Sequence, residues 1–358
     1  MTLFAEAYRG RRVLVTGHTG FKGSWLALWL HELGARIAGV SLDPQQQPNH
    51  WDLLRLGGDD HRLDIRDAAR LTAAVEKFRP EVVFHLAAQP LVRRSYAKPV
   101  ETWSTNVMGT CHLLEACRSL RELQAVVVVT TDKVYANREW AWGYREDDAL
   151  GGHDPYSSSK AACELLVASY RKAFFQEGEA LLASARAGNV IGGGDWSEDR
   201  LVPDLVRALA RRETAAIRSP QSVRPWQHVL DSLAGYLQLG QKLLEGRREC
   251  AQAWNFGPLT EDHRTVAELL AVMRTHWPQL KWRHAQGPQP RESTLLYLDH
   301  AKARTELGWR PVWSVAQAAQ ATARWYQEFY RSGAATSREQ LAQYIDAAAG
   351  SGTAWAKA

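Results

Sequence analysis

The stretch VLVTGHTGFKGSWLALWLHELG, residues 13–34, decides the fold. Its first four residues read as a buried strand, and its second half is typical of a helix. Gly17, Gly20 and Gly23 lie between the two with the spacing GxxGxxG. In a strand–turn–helix unit the first glycine permits a tight turn, the second admits a pyrophosphate, and the third lets helix and strand pack closely. The stretch therefore predicts a dinucleotide site at a helix N-terminus, with an ordinary tight turn as the alternative.

Four later runs repeat the apolar character of this first strand and predict further strands. They cover residues 37–42, 81–86, 125–130 and 181–186. Strands without polar alternation are buried on both faces, which is typical of a parallel sheet covered by helices. Helical stretches at 106–118 and from Pro155 onward separate the runs. We therefore expect an α/β fold with a doubly wound, Rossmann-type parallel sheet.

The pattern of predicted secondary structure changes near residue 190, where helices begin to alternate with short extended segments. We expect 1–190 to form a dinucleotide-binding domain and 191–333 a smaller mixed α/β substrate domain, with segments that can interleave. Residues 334–358, rich in alanine, serine and glycine, form a tail that is either a loose helix or a frayed end.

The composition excludes several classes of protein. Apolar residues make up 45% and charged residues 23% of the 358 residues, as in ordinary globular domains. The formal charge of +5 is dispersed along the chain, so a nucleic-acid partner is not expected. The four cysteines show no CxxC spacing and the histidines no metal-like spacing, so we expect neither disulfides nor a metal site. No run of 18 apolar residues occurs, and we expect a cytoplasmic protein without a membrane partner.

Tyr156 and Lys160 stand four residues apart in YSSSK, so a helix places them on one face. Asp154 and Pro155 precede them and predict an N-cap and the first helical position. The helix dipole and a nearby ammonium stabilise a phenolate, so we expect the pKa of Tyr156 to be lowered toward that of a general base. An exposed tyrosine and lysine on a surface helix are the alternative, which the upstream glycine motif disfavours.

Two other predicted strands end in residues suited to a binding crevice. These are Thr131, Asp132 and Lys133 after one run, and Ala87, Ala88 and Gln89 after another. Because the carboxyl ends of parallel strands share one edge of a sheet, we expect both groups to converge on the glycine motif. Strand ends that simply turn into solvent are the alternative.

Two further segments concern the ligands. Asp43 follows the second predicted strand, with Ser41 near its end, and no arginine occupies that turn to receive a 2′-phosphate. NAD is therefore favoured over NADP as the cofactor.

Arg224 and His228 lie in RPWQH, which offers a cation, an aromatic ring and polar groups to a diphosphate or a sugar. A surface loop is the alternative for this segment.

Nine blocks together resemble the extended short-chain dehydrogenase/reductase family, in its branch of nucleotide-sugar enzymes. The blocks are GHTGFKG (17–23), HLAAQPLVRRSY (85–96), TNVMGT (105–110), TTDKVY (130–135), YSSSK (156–160), GNVIGGGDW (188–196), VRPWQHVL (223–230), WNFGP (254–258) and LGWRP (307–311). The resemblance runs from about residue 10 to about residue 333. Dehydratases of dTDP-sugars usually have TDE where this chain has TDK, which together with RPWQHV points to the CDP-sugar branch.

The resemblance implies a lyase that converts CDP-glucose to CDP-4-keto-6-deoxyglucose and water, with NAD taking a hydride from C4 and returning it to C6. Tyr156 with Lys160 would act at the 4-hydroxyl, Thr131 would bind the 4-oxygen, and Asp132 would protonate the departing 6-hydroxyl. With the glycine motif, the cofactor contacts expected are Gly17, Thr19, Gly20, Phe21, Gly23, Asp43, Asp64, Ile65, Ala87, Ala88, Tyr156 and Lys160. The substrate contacts expected are Gln89, Thr131, Asn189, Arg224 and His228.

Lys133 departs from the family pattern, because relatives acting on dTDP-sugars carry a glutamate base there. A lysine is a base only where its surroundings lower its pKa. Our hypothesis is that Lys133 acts in C5 deprotonation, as a neutral amine or by stabilising the enolate.

The same motifs also fit other functions. A dehydratase acting on another nucleotide sugar, a 4-epimerase, a simple alcohol dehydrogenase and a non-catalytic dinucleotide-binding protein stay open as alternatives. The family further implies a homodimer or homotetramer paired through residues 106–118 and 155–170. Products of this kind feed deoxysugars of bacterial surface polysaccharides such as lipopolysaccharide O-antigen.

Overall fold

The computed structural model describes residues 2–176, 178, 180–286 and 295–357. The strands are β1 (Thr2–Leu3), β2 (Arg12–Thr16), β3 (Arg36–Ser41), β4 (Asp59–Arg62), β5 (Val82–His85), β6 (Ala125–Val129), β7 (Leu181–Ala187), β8 (Val190–Ile191), β9 (Ala215–Ile217), β10 (Val223–Arg224), β11 (Gln227–His228), β12 (Ala253–Phe256), β13 (Arg264–Thr265), β14 (Trp282–His284) and β15 (Ala356–Lys357).

The α-helices follow the same chain order. They are α1 (Phe21–Glu32), α2 (His50–Leu54), α3 (Ala68–Phe78), α4 (Val92–Ala97), α5 (Pro99–Trp103), α6 (Gly109–Arg118), α7 (Pro155–Phe174), α8 (Leu201–Ala210), α9 (Val229–Leu244), α10 (Val266–His276), α11 (Val315–Ser332) and α12 (Ser337–Gly350). Single π-helical turns occur at Ser104–Met108 and Ala303–Leu307.

Seven strands form one parallel sheet in the order β4-β3-β2-β5-β6-β7-β12. The strand order reverses between β2 and β5, and in open α/β sheets a ligand crevice opens at such a point. The predicted doubly wound parallel sheet is confirmed. Two edge strands of this sheet, β4 and β12, lie outside the apolar runs that predicted strands, and β4 has the polar sequence DDHR.

Successive side chains of each strand point to opposite faces of the sheet, and this divides the core into two layers. Val13 and Val15 pack with the tryptophan-rich helix α1 and with α9, whereas Leu14 packs with α3 and α6 on the other face. A strand turns successive side chains to opposite faces, so all three are buried only because helices cover both faces. This explains why residues 13–15 are all apolar.

The two segments expected to form separate domains exchange elements. Ala253–Phe256, from the second segment, supplies the edge strand β12 beside β7. The helix α9 packs against β6 and β7, so it too covers the main sheet. The division at residue 190 stays a prediction, and the short pairs β9–β14 and β10–β13 lie in the second segment.

The C-terminal tail is a packed helix followed by a strand, so the frayed end is wrong. Tyr344 of α12 is buried, and β15 pairs antiparallel with β1 at the opposite end of the chain. Trp355 is 2% exposed and stacks on Phe4 with ring centroids 4.9 Å apart. Alanine-rich composition concealed this packing, since a few large side chains carry most of it.

We predict that Trp355→Ala lowers the free energy of unfolding by about 3–5 kcal/mol, because it leaves a cavity between α12 and the N-terminus. The matched control is Trp142→Ala, since Trp142 is 63% exposed and its loss is expected to cost less than about 1 kcal/mol. Chemical denaturation measures both. Equal effects of the two substitutions would contradict the docked tail.

Candidate active site

A cavity of about 1100 Å³ opens at the carboxyl ends of the sheet strands, where the strand order reverses. Its lining contains nearly all the residues that the sequence singled out. These are Gly17, Thr19, Gly20, Phe21, Gly23, Asp43, Asp64, Ile65, Ala87, Ala88, Gln89, Thr131, Lys133, Tyr156, Lys160, Asn189 and Arg224. Asp132 lies immediately beside the lining, and His228 lies elsewhere. Residues far apart in the chain therefore meet in one crevice.

The glycine motif forms a cradle that side chains would fill. Gly17 has φ +76°, and a Cβ placed on it would lie 2.7 Å from the Ala87 nitrogen. A Cβ on Gly23 would lie 2.0 Å from the carbonyl oxygen of Gly17. Gly20 is the N-cap of α1, so no side chain covers the first backbone N–H groups of that helix. Free N–H groups and the helix dipole at this point fit the pyrophosphate of a dinucleotide.

The end of the cavity next to β3 and β4 has a feature that the sequence did not predict. Thr19 Oγ1 lies 2.7 Å from Ser41 Oγ and closes the turn after β3. Asp43 is largely exposed, and Arg62 from the neighbouring β4 approaches it at 3.9 Å. No arginine occupies the turn itself, but Arg62 reaches it in space, where Asp60 holds it at 2.7 Å. Two carboxylates, Asp43 and Asp60, face this one arginine and would repel a 2′-phosphate, which leaves NAD the better fit.

Asp64 and Ile65 follow β4 and border the same end of the cavity. Arg66 donates hydrogen bonds to the Asp64 carboxylate, and this holds the pKa of Asp64 below its usual value. Ile65 is buried against Gly109, where a Cβ would lie 2.5 Å from the Ile65 side chain. The pair thus joins the cofactor end of the cavity to α6.

Tyr156 and Lys160 project from the first turns of α7, whose start was predicted correctly. Asp154 is the N-cap, with Oδ1 accepting from the Ser157 nitrogen at 2.9 Å, and Pro155 is the first helical residue. The Lys160 ammonium donates to the carbonyl oxygen of Val129 at 3.2 Å. Both side chains reach the cavity where β6 ends.

The end of β6 brings three functional groups together. Thr131 donates to Asp132 Oδ1 at 2.9 Å, and Lys133 Nζ lies 3.5 Å from the same oxygen. Asp132 is 1% exposed, and its Oδ2 has no hydrogen-bond partner among the described residues. A Cβ on Gly188 would lie 3.1 Å from that oxygen, so only glycine leaves room there. Lys133 is partly exposed to the cavity.

The expected lowering of the pKa of Tyr156 is not found in the protein alone. Burial raises the pKa of Tyr156 to about 12, and the hydrogen bond with Thr131 offsets only part of this effect. Burial likewise lowers the pKa of Lys160, opposed by Cys163 and Glu164. The sequence argument counted the dipole and the ammonium but omitted desolvation, which favours the neutral form of both groups.

Of the expected substrate contacts, Asn189 and Arg224 line the cavity whereas His228 does not. The Asn189 side-chain oxygen has no partner among the described residues, which suits a ligand hydroxyl. His228 is fully buried, accepts from the Leu230 nitrogen as the N-cap of α9, and packs edge-on against Trp313. Burial lowers its pKa to about 3, so it is a neutral core histidine.

Gln89 lines the cavity, but its side chain is engaged within the protein. Its amide group donates to Thr102 and accepts from the Leu91 nitrogen, and its own backbone nitrogen donates to Asn106. Asn106 lies in the π-helical turn and also donates to Ser159 of α7. Gln89 therefore shapes the wall of the site through Asn106.

Several arginines and one lysine of the site were not predicted. Arg93, Arg200 and Arg218 line the cavity with Arg224, and Asp199 lies 2.7 Å from Arg93 and 3.8 Å from Arg218. Clustered guanidinium groups suit a diphosphate.

Lys22 occupies a variable position of the glycine motif, between Gly20 and Gly23, and the sequence analysis assigned it no role. It donates to the Tyr236 phenol at 3.2 Å, and desolvation together with the charge of Arg200 lowers its pKa to about 7. Its only sequence signal is a charged residue opening a helix that is otherwise buried.

Among the described residues, no group of histidine, cysteine or carboxylate side chains is placed to hold a metal ion. Within the same part of the chain, no helix is both long and apolar enough to cross a membrane.

A glycine cradle and a Tyr156/Lys160 pair that line one cavity at the strand ends are typical of the extended short-chain dehydrogenase/reductase class. The family model of GDP-mannose 4,6 dehydratase matches residues 14–322. The chain belongs to this family of nucleotide-sugar dehydratases.

A curated relative is closely similar over the whole length of the chain. The CDP-glucose 4,6-dehydratase of Salmonella typhimurium is 45% identical over 351 residues, covering 95% of this chain and 98% of the relative. Among solved structures, an epimerase from Methanothermobacter thermautotrophicus has a TM-score of 0.81 at 23% identity, covering 94% of this chain and 96% of its own. The UDP-glucose 4-epimerase of Brucella ovis, solved with NAD, has a TM-score of 0.73 at 26% identity. The match covers 87% of this chain and 97% of the epimerase chain.

We predict that Tyr156 does not ionise below pH 11 in the free protein, because its raised pKa keeps the phenol neutral there. The measurement is the tyrosinate absorbance of the protein minus that of Tyr156→Phe, followed from pH 8 upward. A flat difference is expected. A titration step near the ordinary tyrosine value of about 10 would contradict the desolvation argument.

Proposed function

We propose that this enzyme is a CDP-glucose 4,6-dehydratase, which converts CDP-glucose to CDP-4-keto-6-deoxyglucose and water. The observation that carries the proposal is the group Thr131, Asp132 and Lys133 beside Tyr156. Tyr156 and its lysine suffice to oxidise and reduce C4, as an epimerase requires. An additional acid with a free oxygen, next to an amine, serves a reaction in which a hydroxyl group must leave.

The cofactor proposed is NAD. When bound, it supplies a hydride acceptor for C4 and afterwards a hydride donor for C6, so the reaction has no net redox change. Backbone N–H groups near Gly20 would hold its pyrophosphate, and Ala87 and Ala88 leave space for its passage along the strand ends. Asp43 and Asp64 would lie at the adenosine end.

Tyr156 is proposed as the base for the 4-hydroxyl proton. Its phenol must first ionise, and a cation placed beside it lowers the required pH. Lys160 supplies that cation from the same face of α7. Thr131, in hydrogen-bond contact with Tyr156, would hold the 4-oxygen as it becomes a carbonyl. The carbonyl then acidifies the hydrogen at C5.

Asp132 and Lys133 are proposed to share one proton during elimination of water. With that proton on Asp132, the carboxyl is an acid for the 6-hydroxyl and the Lys133 amine is a base for the C5 hydrogen. Elimination leaves Asp132 ionised and Lys133 protonated, and the contact of 3.5 Å between them lets the proton return. The pair thereby replaces a separate glutamate base. The unpartnered Oδ2 of buried Asp132 supports this role, since that oxygen is available to a substrate hydroxyl.

The arginine cluster and Asn189 support a nucleotide-sugar substrate. Arg93, Arg200, Arg218 and Arg224 would neutralise a diphosphate, and the free oxygen of Asn189 would accept from a sugar hydroxyl. The preference for cytidine rests on the similarity to the Salmonella enzyme.

A second copy of the chain is the proposed partner. Val100, Trp103 and Met108 are exposed on and beside α5, and Leu165 and Phe174 are exposed on α7. These two helical segments adjoin each other, and such an apolar surface favours association. We infer a homodimer or homotetramer in the cytoplasm, where the product would enter deoxysugar synthesis for surface polysaccharide.

The reaction is tested by mass spectrometry of the purified enzyme with NAD and a mixture of CDP-, dTDP-, UDP- and GDP-hexoses. We expect CDP-glucose alone to lose one water, without accumulation of reduced cofactor. Isomerisation without a change of mass would favour the 4-epimerase, and net reduction of NAD would favour a simple dehydrogenase. Bound NAD with complete inertness would favour a binding protein.

The role of Lys133 is tested by Lys133→Met. We predict that kcat falls about 100-fold or more, since a proton-transfer group is lost, while oxidation at C4 still proceeds. The matched control is Lys172→Met on the exposed end of α7. Solvent-deuterium incorporation at C5 and the absorbance of reduced nicotinamide report the two steps. Unaltered exchange at C5 would remove Lys133 from the elimination.

A further inference from the structure

A buried ion pair lies directly behind the catalytic helix. Glu164 of α7 and Arg186 of β7 are 4% and 3% exposed, and Arg186 Nη2 donates to Glu164 Oε2 at 2.8 Å. Glu164 lies one helical turn beyond Lys160, on the same face. Neither residue lines the cavity, so neither touches the substrate or the cofactor.

Glu164 joins three elements that meet at the active site. Ser184 of β7 donates to its Oε2 at 2.7 Å, and Thr130, which directly precedes Thr131, donates to its other oxygen. Arg186 continues the network by donating to the Tyr135 phenol at 2.7 Å. The pair therefore fixes α7 against the strand end that carries the proposed acid and base.

The cations of the site outnumber the acids that face them. Lys22 of α1 interacts electrostatically with Lys160, with Lys133 from the end of β6 and with Arg200 from the second segment. Asp132 and Glu164 are the acids among these groups. A lysine that is buried among cations loses its proton readily unless an acid is close.

We propose that Glu164, held in place by Arg186, is a positioning residue that keeps Lys160 protonated and fixes the helix that carries Tyr156. The inference deepens the proposed function, because a charged Lys160 is what makes Tyr156 a base at that site.

The electrostatics of the pair support this assignment. Burial would raise the pKa of Glu164, but the charge of Arg186 and three hydrogen-bond donors lower it overall, so the carboxylate stays ionised. Burial lowers the pKa of Lys160, and Cys163 and Glu164 oppose that effect. The ionisable or charged groups facing this region are Lys160, Cys163 and Arg171 from α7, Arg186 from β7, His85 from β5, Lys22 from α1, and Tyr135 and Glu146 beyond Arg186.

A purely structural role makes a different prediction. Breaking a buried pair from either side destabilises a protein, because the remaining charge is left without its partner. Structural damage from Glu164→Gln and from Arg186→Gln would therefore act in the same direction. The two substitutions leave charges of opposite sign near Lys160, so an electrostatic role makes them act in opposite directions.

The experiment measures the pKa of Lys160 directly. The NAD-loaded enzyme is isotope-labelled at the lysine ε-carbons, and its NMR signals are followed with pH, with Lys160→Arg assigning the signal of interest. We expect Glu164→Gln to lower the pKa of Lys160 by about one unit and Arg186→Gln to raise it by about one unit. Ser184→Ala, which removes a hydrogen bond but no charge, should leave it unchanged. Lys172 is the internal control signal.

Shifts in the same direction from both single variants, or no shift in folded protein, would overturn the proposal. If a single variant does not fold, the neutral double variant Glu164→Gln/Arg186→Gln replaces it, because it leaves no unpaired charge. In this double variant we expect the pKa of Lys160 to fall by less than in Glu164→Gln alone. A fall is still expected because Glu164 is nearer to Lys160 than Arg186 is. An unchanged or raised value would contradict the inference.

This measurement needs no sugar nucleotide. An enzyme that leaves CDP-glucose unchanged would overturn the proposed function while the Lys160 titrations still decide the role of Glu164. Conversely, an active dehydratase whose Lys160 does not respond to Glu164→Gln would refute the inference alone.

Discussion

The close approach of α1 to the end of β2 is the constraint on which the rest of the site depends. With a hydrogen atom in place of a side chain at Gly23, the helix begins directly against the carbonyl of Gly17. This contact aims free N–H groups of the helix at the point where the strand order of the sheet reverses. A parallel sheet then delivers the ends of β5, β6 and β7 to the same edge, because all its strands run in one direction.

Desolvation is the second constraint, and it acts against catalysis unless charges are balanced. The groups proposed to perform proton transfer lie in a buried region, where a phenol resists ionisation and an ammonium loses its proton. Tyr156 and Lys160 both show this in their shifted pKa values. Glu164, Arg186 and the hydrogen bonds around them form a layer beneath the catalytic groups that offsets the effect. The proposed chemistry therefore depends on residues that do not line the cavity.

Much of the fold was predictable because its signals are local. Apolar runs predicted β2, β3, β5, β6 and β7 to within two residues, and Asp154-Pro155 predicted the start of α7. The edge strands β4 and β12 lie outside those runs, and the polar sequence of β4 shows that a short edge strand needs no apolar pattern. The packed tail escaped because its burial depends on Trp355 meeting Phe4, at the far end of the chain. The structure gives the positions of the site residues, and their individual roles stay predictions.

The sequence by itself predicted most of the sheet, the glycine cradle and the Tyr156/Lys160 pair, since each rests on residues that are close together in the chain. Nine blocks spread along the chain indicated the family. Only the tertiary structure decided which long-range partners those residues meet. It showed Arg62 beside Asp43, engaged Gln89 with Asn106, and withdrew His228 into the core as a helix cap. It also reversed the expected pKa shift of Tyr156, because the cost of burial is set by the surrounding packing, and no spacing of residues along the chain encodes that packing.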